Sequence, residues 1–357
     1  MAVAMDLSNF THKSLITTPH RLTYSYYLSP FFQQQTTENP SNPAILLLHG
    51  FPDQAAMWSG VVPSLLQLGY ASYRYNYRDQ AASLAQILEH ENVASDGRII
   101  PCGHDWGSAT AQRFYLYHRH LCRGLILLSL AYQIPSPKPF NLEEQNAATS
   151  KRFGYPQWAY WEFFTAPDAP ETMRHNLERF WDVNNGFQPG KAEGGNGVEG
   201  EDGRDVWMRE MFCESGSMRA YIEGTGKYKD WTVQPKKYPN WQQEKERFVQ
   251  RFSRDGFEGP VCYYLSLKGN TMLEDEKWLC EREGQEDRRR IDVPLLFVGQ
   301  TGDWVCRTDL MKDAKDQGLV NDVTEKVLDA GHWWAYEKPQ DMGGIIADWL
   351  KERFPIK

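Results

Sequence analysis

The sequence predicts an α/β fold with a mostly parallel central sheet, interrupted by an inserted, mainly helical segment. Three observations carry that reading. Short apolar runs alternate with helix-like stretches, the pattern of β-α units around a parallel sheet. About 160 residues of different character separate two of those runs, far longer than a connecting loop. One apolar run ends in "GHDWGS", a glycine-flanked turn leading into a helix.

The elements follow in order. "AILLLHG" (Ala44–Gly50) reads as a buried strand, and "MWSGVVPSLLQLG" (Met57–Gly69) as a helix closed by glycine. "RIIPCG" (Arg98–Gly103) is the strand before the turn, and "WGSATAQRFYLYHRHL" (Trp106–Leu121) is the helix after it. "GLILLSL" (Gly124–Leu130) and "VPLLFVG" (Val293–Gly299) are further buried strands. Between them lies a segment rich in Trp, Tyr, Phe and charge. Its Gly-rich, acidic stretch 184–205 reads as a surface loop. After Gly299 come a helix, a strand near "VTEKVLDAG" and a closing helix from about Gln340 to Phe354. The division expected is 1–135 core, 136–288 helical cap and 289–357 core.

Composition narrows the function. A net charge of −8 argues against nucleic acid, whose phosphates need a basic surface. No apolar run approaches the roughly 18–20 residues of a membrane span. The start carries no signal-peptide pattern, and the six cysteines are scattered without a C-x-x-C pair, so free thiols and a cytoplasmic setting are expected. HExxH, Walker A and dinucleotide fingerprints are absent, so neither metal nor cofactor is expected. No motif speaks to oligomeric state.

The chemistry begins at Asp105. It occupies the tip of a turn that, in its G-x-S-x-G form, exposes a nucleophilic serine. A carboxylate is already ionised at neutral pH and needs no base to become a nucleophile. Asp303 in "VGQTGDW" and His332 in "AGHWW" each follow a strand. Carboxyl-end loops of parallel strands converge on one sheet edge, so the order nucleophile, acid, histidine describes a triad. "HGFPD" (His49–Asp53) follows another strand and nominates the backbone N–H groups of Phe51 and Trp106 as an oxyanion hole. His49 and His104 read as packing residues.

"HGFPD", "GHDWGS", "VGQTGDW" and "AGHWW", in that order, resemble the epoxide hydrolases of the α/β-hydrolase fold, of the soluble cytosolic, microbial or fungal kind. The resemblance runs from about Ala44 to Phe354. "YWEFFTAPD" and "FVQRFSRDGFEGPVCYY" resemble that family's two lid segments, which implies lid tyrosines at Tyr160 and Tyr264. It further implies a small-molecule epoxide and water as reactants, an ester on Asp105, and a vicinal diol as product. Haloalkane dehalogenation is the alternative sharing an Asp–His–acid set and a tryptophan after the nucleophile; an inactive hydrolase is another. The latter reading comes from one departure. After "LQLGY" the family continues with an aliphatic strand and a D-x-x-G-Y-G-x-S loop, whereas this chain runs through "ASYRYNYRDQ". About 15–20 residues of that pattern are absent, and tyrosines alternating with polar residues suit a doubly buried strand poorly. The shortened stretch Tyr70–Arg78 is therefore expected to weaken the sheet.

Overall fold

A computed structural model describes residues 10–19, 21–29, 32, 42–62, 78–95, 97–187, 206–231, 233–236, 238–283 and 286–355. An N-terminal antiparallel hairpin, β1 (Thr11–Ile16) and β2 (Thr23–Leu28), precedes the main sheet. The main sheet has five parallel strands: β3 (Ala44–Leu48), β4 (Ile99–His104), β5 (Leu125–Leu128), β6 (Leu295–Gly302) and β7 (Val323–Gly331). Their spatial order is β7-β6-β5-β4-β3.

β3 and β5, and the first half of β6, are apolar at every position because helices cover both faces. Along β3, Ala44, Leu46 and Leu48 enter one core, while Ile45 and Leu47 enter the other. Leu125 and Leu127 alternate with Ile126 and Leu128 in the same way, as do Leu295 and Phe297 with Leu296 and Val298. The first face packs against α1 (Arg78–His90) and α2 (Trp106–Tyr117) through Leu84, Ile87, Leu88, Ala111 and Phe114. The hairpin adds Tyr24, Tyr26 and Leu28 to that core, and the Lys13 ammonium and Tyr26 hydroxyl both reach Glu91 just beyond α1. The second face packs against the closing helix Pro339–Arg353 through Met342, Ile346, Trp349 and Leu350.

Between β5 and β6 the described chain is mostly helical, from Leu142–Phe153 to Leu273–Cys280, with two small two-residue antiparallel ladders. Its aromatic core meets the sheet's carboxyl edge through Phe51, Trp106 and Trp333. Buried or half-buried polar ties fasten it there. Arg113 of α2 donates twice to Glu276, at 2.7 and 2.9 Å, and Lys236 pairs with Glu337 at 2.7 Å.

Several expected bounds shift. The expected helix Met57–Gly69 starts within a 3₁₀ helix at Ala55–Gly60, and its residues 63–69 lie outside the described residues. The helix after Asp105 ends at Tyr117 and a separate 3₁₀ turn covers Arg119–Leu121, because Tyr117 gives way to His118 in a non-helical conformation. Of the expected loop at 184–205, Asn184 and Asn185 instead close a helix and Gly186–Phe187 pair with Gln234–Pro235, while 188–205 lie outside the described residues. Both asparagine side chains donate back one turn, to Phe180 O and Trp181 O, which lets polar residues end the helix while buried. The stretch 70–77, and the expected loss of stability there, lie outside the described residues. Among the described residues no helix is long and apolar enough to cross a membrane.

Phe114 is fully buried between α2, α1 and the sheet. Phe114→Ala should lower stability by about 3–5 kcal/mol through lost burial and the cavity left behind. Urea unfolding measures this directly. A loss under about 1 kcal/mol would show that this interface collapses around the void.

Candidate active site

Asp105 stands between β4 and α2 with φ 55° and ψ −124°, outside the regions a side-chain-bearing residue ordinarily occupies. Its neighbours must be small. A Cβ on Gly103 would lie 2.1 Å from Gly107 O, one on Gly107 2.2 Å from Leu48 O, and one on Gly50 2.3 Å from Asp105 Oδ1. The buried Ser108 braces the turn. Its hydroxyl lies 2.6 Å from Gly103 O and accepts from Leu128 N–H at 3.1 Å. The turn therefore presents the Asp105 carboxylate at the sheet edge and leaves no room for the glycines to vary.

The acid and histidine come from the next two strand ends. Asp303 follows β6 and is buried. Its Oδ1 accepts from the backbone N–H groups of Val305 and Cys306, at 3.0 and 2.7 Å. Its Oδ2 lies 2.5 Å from His332 Nδ1. His332 follows β7, and its Nε2 lies 3.6 Å from Asp105 Oδ2. Phe51 N–H donates to Asp105 Oδ1 at 2.9 Å, and the Trp106 N–H also supports that carboxylate. Every residue expected from the strand ends thus meets in one place. The two backbone donors, expected as an oxyanion hole, hold the nucleophile's own carboxylate in this structure.

Tyr160 and Tyr264 come from the helical segment and are buried directly above. Their rings are 5.8 Å apart and nearly perpendicular, and burial first, then the Asp105 charge, raises the pKa of both. Phe51, Trp106, Trp161 and Phe164 complete an aromatic wall around Tyr264.

A second layer was not legible in the sequence. His104, expected only to pack, is fully buried and its Nε2 meets His332 O at 3.0 Å. Its Nδ1 lies 3.9 Å from Asp53 Oδ2. Tyr336 donates to Asp53 Oδ1 at 2.8 Å, and the Arg251 guanidinium binds Pro52 O and Asp53 O. "HGFPD" contained Asp53, but nothing in its spacing marked the carboxylate as part of the site.

Electrostatics make these groups one unit. Burial alone would lower the His332 pKa, but the charge and hydrogen bond of Asp303, then Asp105 and Asp53, outweigh it and carry it to about 9. Burial pushes Asp53 up to about 6 and raises Asp105, against the opposing pull of His332 on both. His104 is driven well below its ordinary value by burial and by His332, and so stays neutral. Among the described residues, Asp303, Cys306 and His332 also form the grouping close enough to share a metal ion. The ligand atoms of Asp303 and His332 are hydrogen-bonded to each other, and burial holds the Cys306 thiol protonated.

Asp105→Asn removes a negative charge that supports the imidazolium, so the His332 pKa should fall below about 9. Nuclear magnetic resonance titration of the His332 ring in both proteins measures it. An unchanged or higher midpoint would contradict this coupling.

Residues 45–342 match the alpha/beta hydrolase family. The chain is 24% identical over 349 residues to bifunctional epoxide hydrolase 2 of Rattus norvegicus, covering 93% of this chain and 56% of that protein. It thus spans about half the length of this mammalian relative. It is 24% identical over 344 residues to epoxide hydrolase A of Mycobacterium tuberculosis, covering 87% of this chain and 91% of the relative. With epoxide hydrolase srdG of Neurospora crassa it shares 22% identity over 368 residues, covering 96% of each. Epoxide hydrolase A from Mycobacterium thermoresistibile superimposes with a TM-score of 0.67 at 19% identity, over 96% of this chain and 98% of that one. Epoxide hydrolase VrEH1 from Vigna radiata gives 0.62 at 17% identity, over 97% and 100%. At these identities the structural likeness establishes the fold alone. The family match takes in the central sheet and the helical segment between β5 and β6, and the chain belongs to the alpha/beta hydrolase family.

Proposed function

We propose that the chain is an epoxide hydrolase that opens an apolar epoxide to a vicinal diol through an ester on Asp105. One observation carries the reading: an elbow carboxylate meets a buried His–Asp pair on one side and two buried phenols on the other. Epoxide hydrolase relatives of similar length support it.

The first step uses the carboxylate and a phenol. An Asp105 oxygen attacks a ring carbon, the carbon–oxygen bond opposite breaks, and the departing oxygen takes a proton from a tyrosine. An alkoxide leaves poorly without that proton, which gives the phenols of Tyr160 and Tyr264 their role. The second step uses the histidine. Ester formation removes the Asp105 charge, so the His332 pKa falls, the ring releases its resting proton to bulk water, and the neutral ring can accept another; it regains a solvent proton once the Asp105 charge is restored. His332, held by Asp303, takes a proton from the attacking water, and hydroxide adds to the ester carbonyl. The N–H groups of Phe51 and Trp106 hold the resulting oxyanion. Collapse releases the diol with a proton from His332, and the proton remaining on the Asp105 carboxyl restores the phenol.

The helical segment 136–288 acts as the cap that brings the phenols and excludes water. Its aromatic wall favours an apolar substrate. The six unpaired cysteines suit a reducing, cytoplasmic setting.

One observation favours haloalkane dehalogenation as a second reading: the indole N–H groups of Trp106 and Trp161 are buried without partners and can hold a departing halide. Halide leaves without a proton, so that reaction has no need of the phenols.

His332→Gln should form the ester and fail to hydrolyse it. Intact mass after mixing with an aryl epoxide should then show protein plus one epoxide, absent in Asp105→Ala. An inactive His332→Gln protein without adduct would remove His332 from the second step. Tyr160→Phe/Tyr264→Phe should lose about 10²–10⁴-fold of epoxide turnover while bromoalkane turnover, if any, is unchanged. Undiminished epoxide turnover in this double variant would refute the phenols' role.

A further inference from the structure

Given the epoxide hydrolase reading, on which the assignment rests, we propose that Glu337 is a positioning residue for His332 and that Lys236 of the helical segment holds Glu337 in place. Through this pair the seated cap aligns the histidine that hydrolyses the ester.

Glu337 closes the short helix Trp334–Glu337, just beyond His332. Its two carboxylate oxygens serve different partners. Oε2 accepts at 2.9 Å from the N–H of Gly331, the residue before His332. Oε1 accepts from the Lys236 ammonium at 2.7 Å. Gly331 ends β7, where the register against β6 shifts between Gln300 and Gly302, so the ladder is irregular where the histidine loop leaves it. On the other side of that loop, the His332 carbonyl meets His104 Nε2 at 3.0 Å. The pair sits hard against the strand end. A Cβ on Gly331 would lie 2.7 Å from Glu337 Oε1 and 2.8 Å from Lys236 Nζ.

Lys236 is fixed in turn by the helical segment. Its backbone N–H donates to Asn185 O at 2.8 Å, and the nearby Tyr238 hydroxyl donates to Asn185 Oδ1 at 2.9 Å. Tyr336 repeats the bridge beside Glu337. Its ring stacks on Tyr238 with centres 5.4 Å apart, while its hydroxyl donates at 2.8 Å to Asp53 Oδ1, on the loop that carries Phe51. One short helix thus carries two adjacent side chains, each joining the helical segment to a loop of the site.

An exposed ion pair contributes little, and Lys277–Glu274 and Lys312–Asp316 are of that kind. Lys236 and Glu337 differ. Their side chains are 20% and 17% exposed, and the carboxylate also takes a backbone N–H, a charge-assisted bond that fixes direction as well as distance. What it fixes is the reach of the His332 ring, whose Nε2 stands 3.6 Å from Asp105 Oδ2. A misplacement of about 1 Å at a reacting group can cost about 10²-fold in rate. Ester formation draws on the Asp105 carboxylate and a phenol, so the loss should fall on ester hydrolysis, the step that uses the histidine.

Single-turnover mixing with an aryl epoxide separates the two steps. In Glu337→Ala, hydrolysis should slow about 10- to 100-fold while ester formation changes less than about twofold, so protein plus one epoxide accumulates in the intact mass. Glu337→Gln keeps an oxygen for the Gly331 N–H and loses the charge that Lys236 binds. It should recover most of the rate, leaving a loss of about 3- to 10-fold. Lys236→Met should slow hydrolysis equally, and should add nothing in the Glu337→Gln background. If Glu337→Ala fails to fold, these two milder variants carry the test. Equal slowing of both steps, or a lowered unfolding midpoint with both rates unchanged, would overturn the proposal in favour of an ordinary structural tie. Undiminished hydrolysis in Lys236→Met would overturn the cap's part in it. A readout without substrate is the proton of the Asp303–His332 hydrogen bond, whose 2.5 Å length places its magnetic resonance far downfield. That resonance should move upfield in Glu337→Ala and return toward its wild-type position in Glu337→Gln; an unmoved resonance would count against any alignment of His332 by Glu337. If the wild-type protein forms no diol, the epoxide reading falls while this resonance still decides the role of Glu337.

Discussion

A carboxylate held at positive φ is what the rest of this site is arranged around. A non-glycine residue in so sparsely populated a conformation costs about 1–3 kcal/mol, which the surrounding structure must offset. Here β4 and α2 supply the restraint on either side of Asp105. Ser108 ties the turn to β5, and Gly50, Gly103 and Gly107 provide clearances that any Cβ would close. The result is a carboxylate that caps no helix and faces outward from the end of the sheet. The parallel sheet does the remaining positioning. Asp303 and His332 need only stand at the ends of two further parallel strands to come within reach.

The second constraint is charge. Asp105, Asp303 and Asp53 surround one histidine, and together they hold its proton. In the proposed reaction this histidine waits as a cation and becomes a base once Asp105 is esterified, because the ester erases one of the three charges. His104, kept neutral by burial and by its charged neighbour, adds no competing positive charge at rest. The phenols follow the same logic from the opposite side. They are held protonated by burial, ready in the proposed reaction to give a proton to the departing oxygen.

What the sequence disclosed divides along physical lines. Asp105, Asp303 and His332 were legible because each follows a strand, and a parallel sheet converts strand ends into neighbours. The backbone N–H groups of Phe51 and Trp106 could be placed because they stand at fixed offsets from those strands, and here both meet the Asp105 carboxylate. Tyr160 and Tyr264 were reached through resemblance, since helix packing in the insert leaves no periodic trace in its sequence. Asp53, His104 and Tyr336 went unread because their coupling is tertiary: His104 and His332 lie far apart in the chain yet touch. The helix bound at Tyr117 shifted for a local reason, where a separate 3₁₀ turn follows.

The central claim is that the carboxylate of Asp105, and not water, attacks the substrate. The most direct measurement is a single turnover with enzyme in excess, carried out in water bearing heavy oxygen. If Asp105 forms the ester, the diol takes its second oxygen from the protein, so the first-turnover diol should carry no heavy oxygen and one Asp105 carboxylate oxygen should be labelled. Heavy oxygen in the first-turnover diol, with an unlabelled Asp105, would mean that water attacks the epoxide directly, and would contradict covalent catalysis by Asp105.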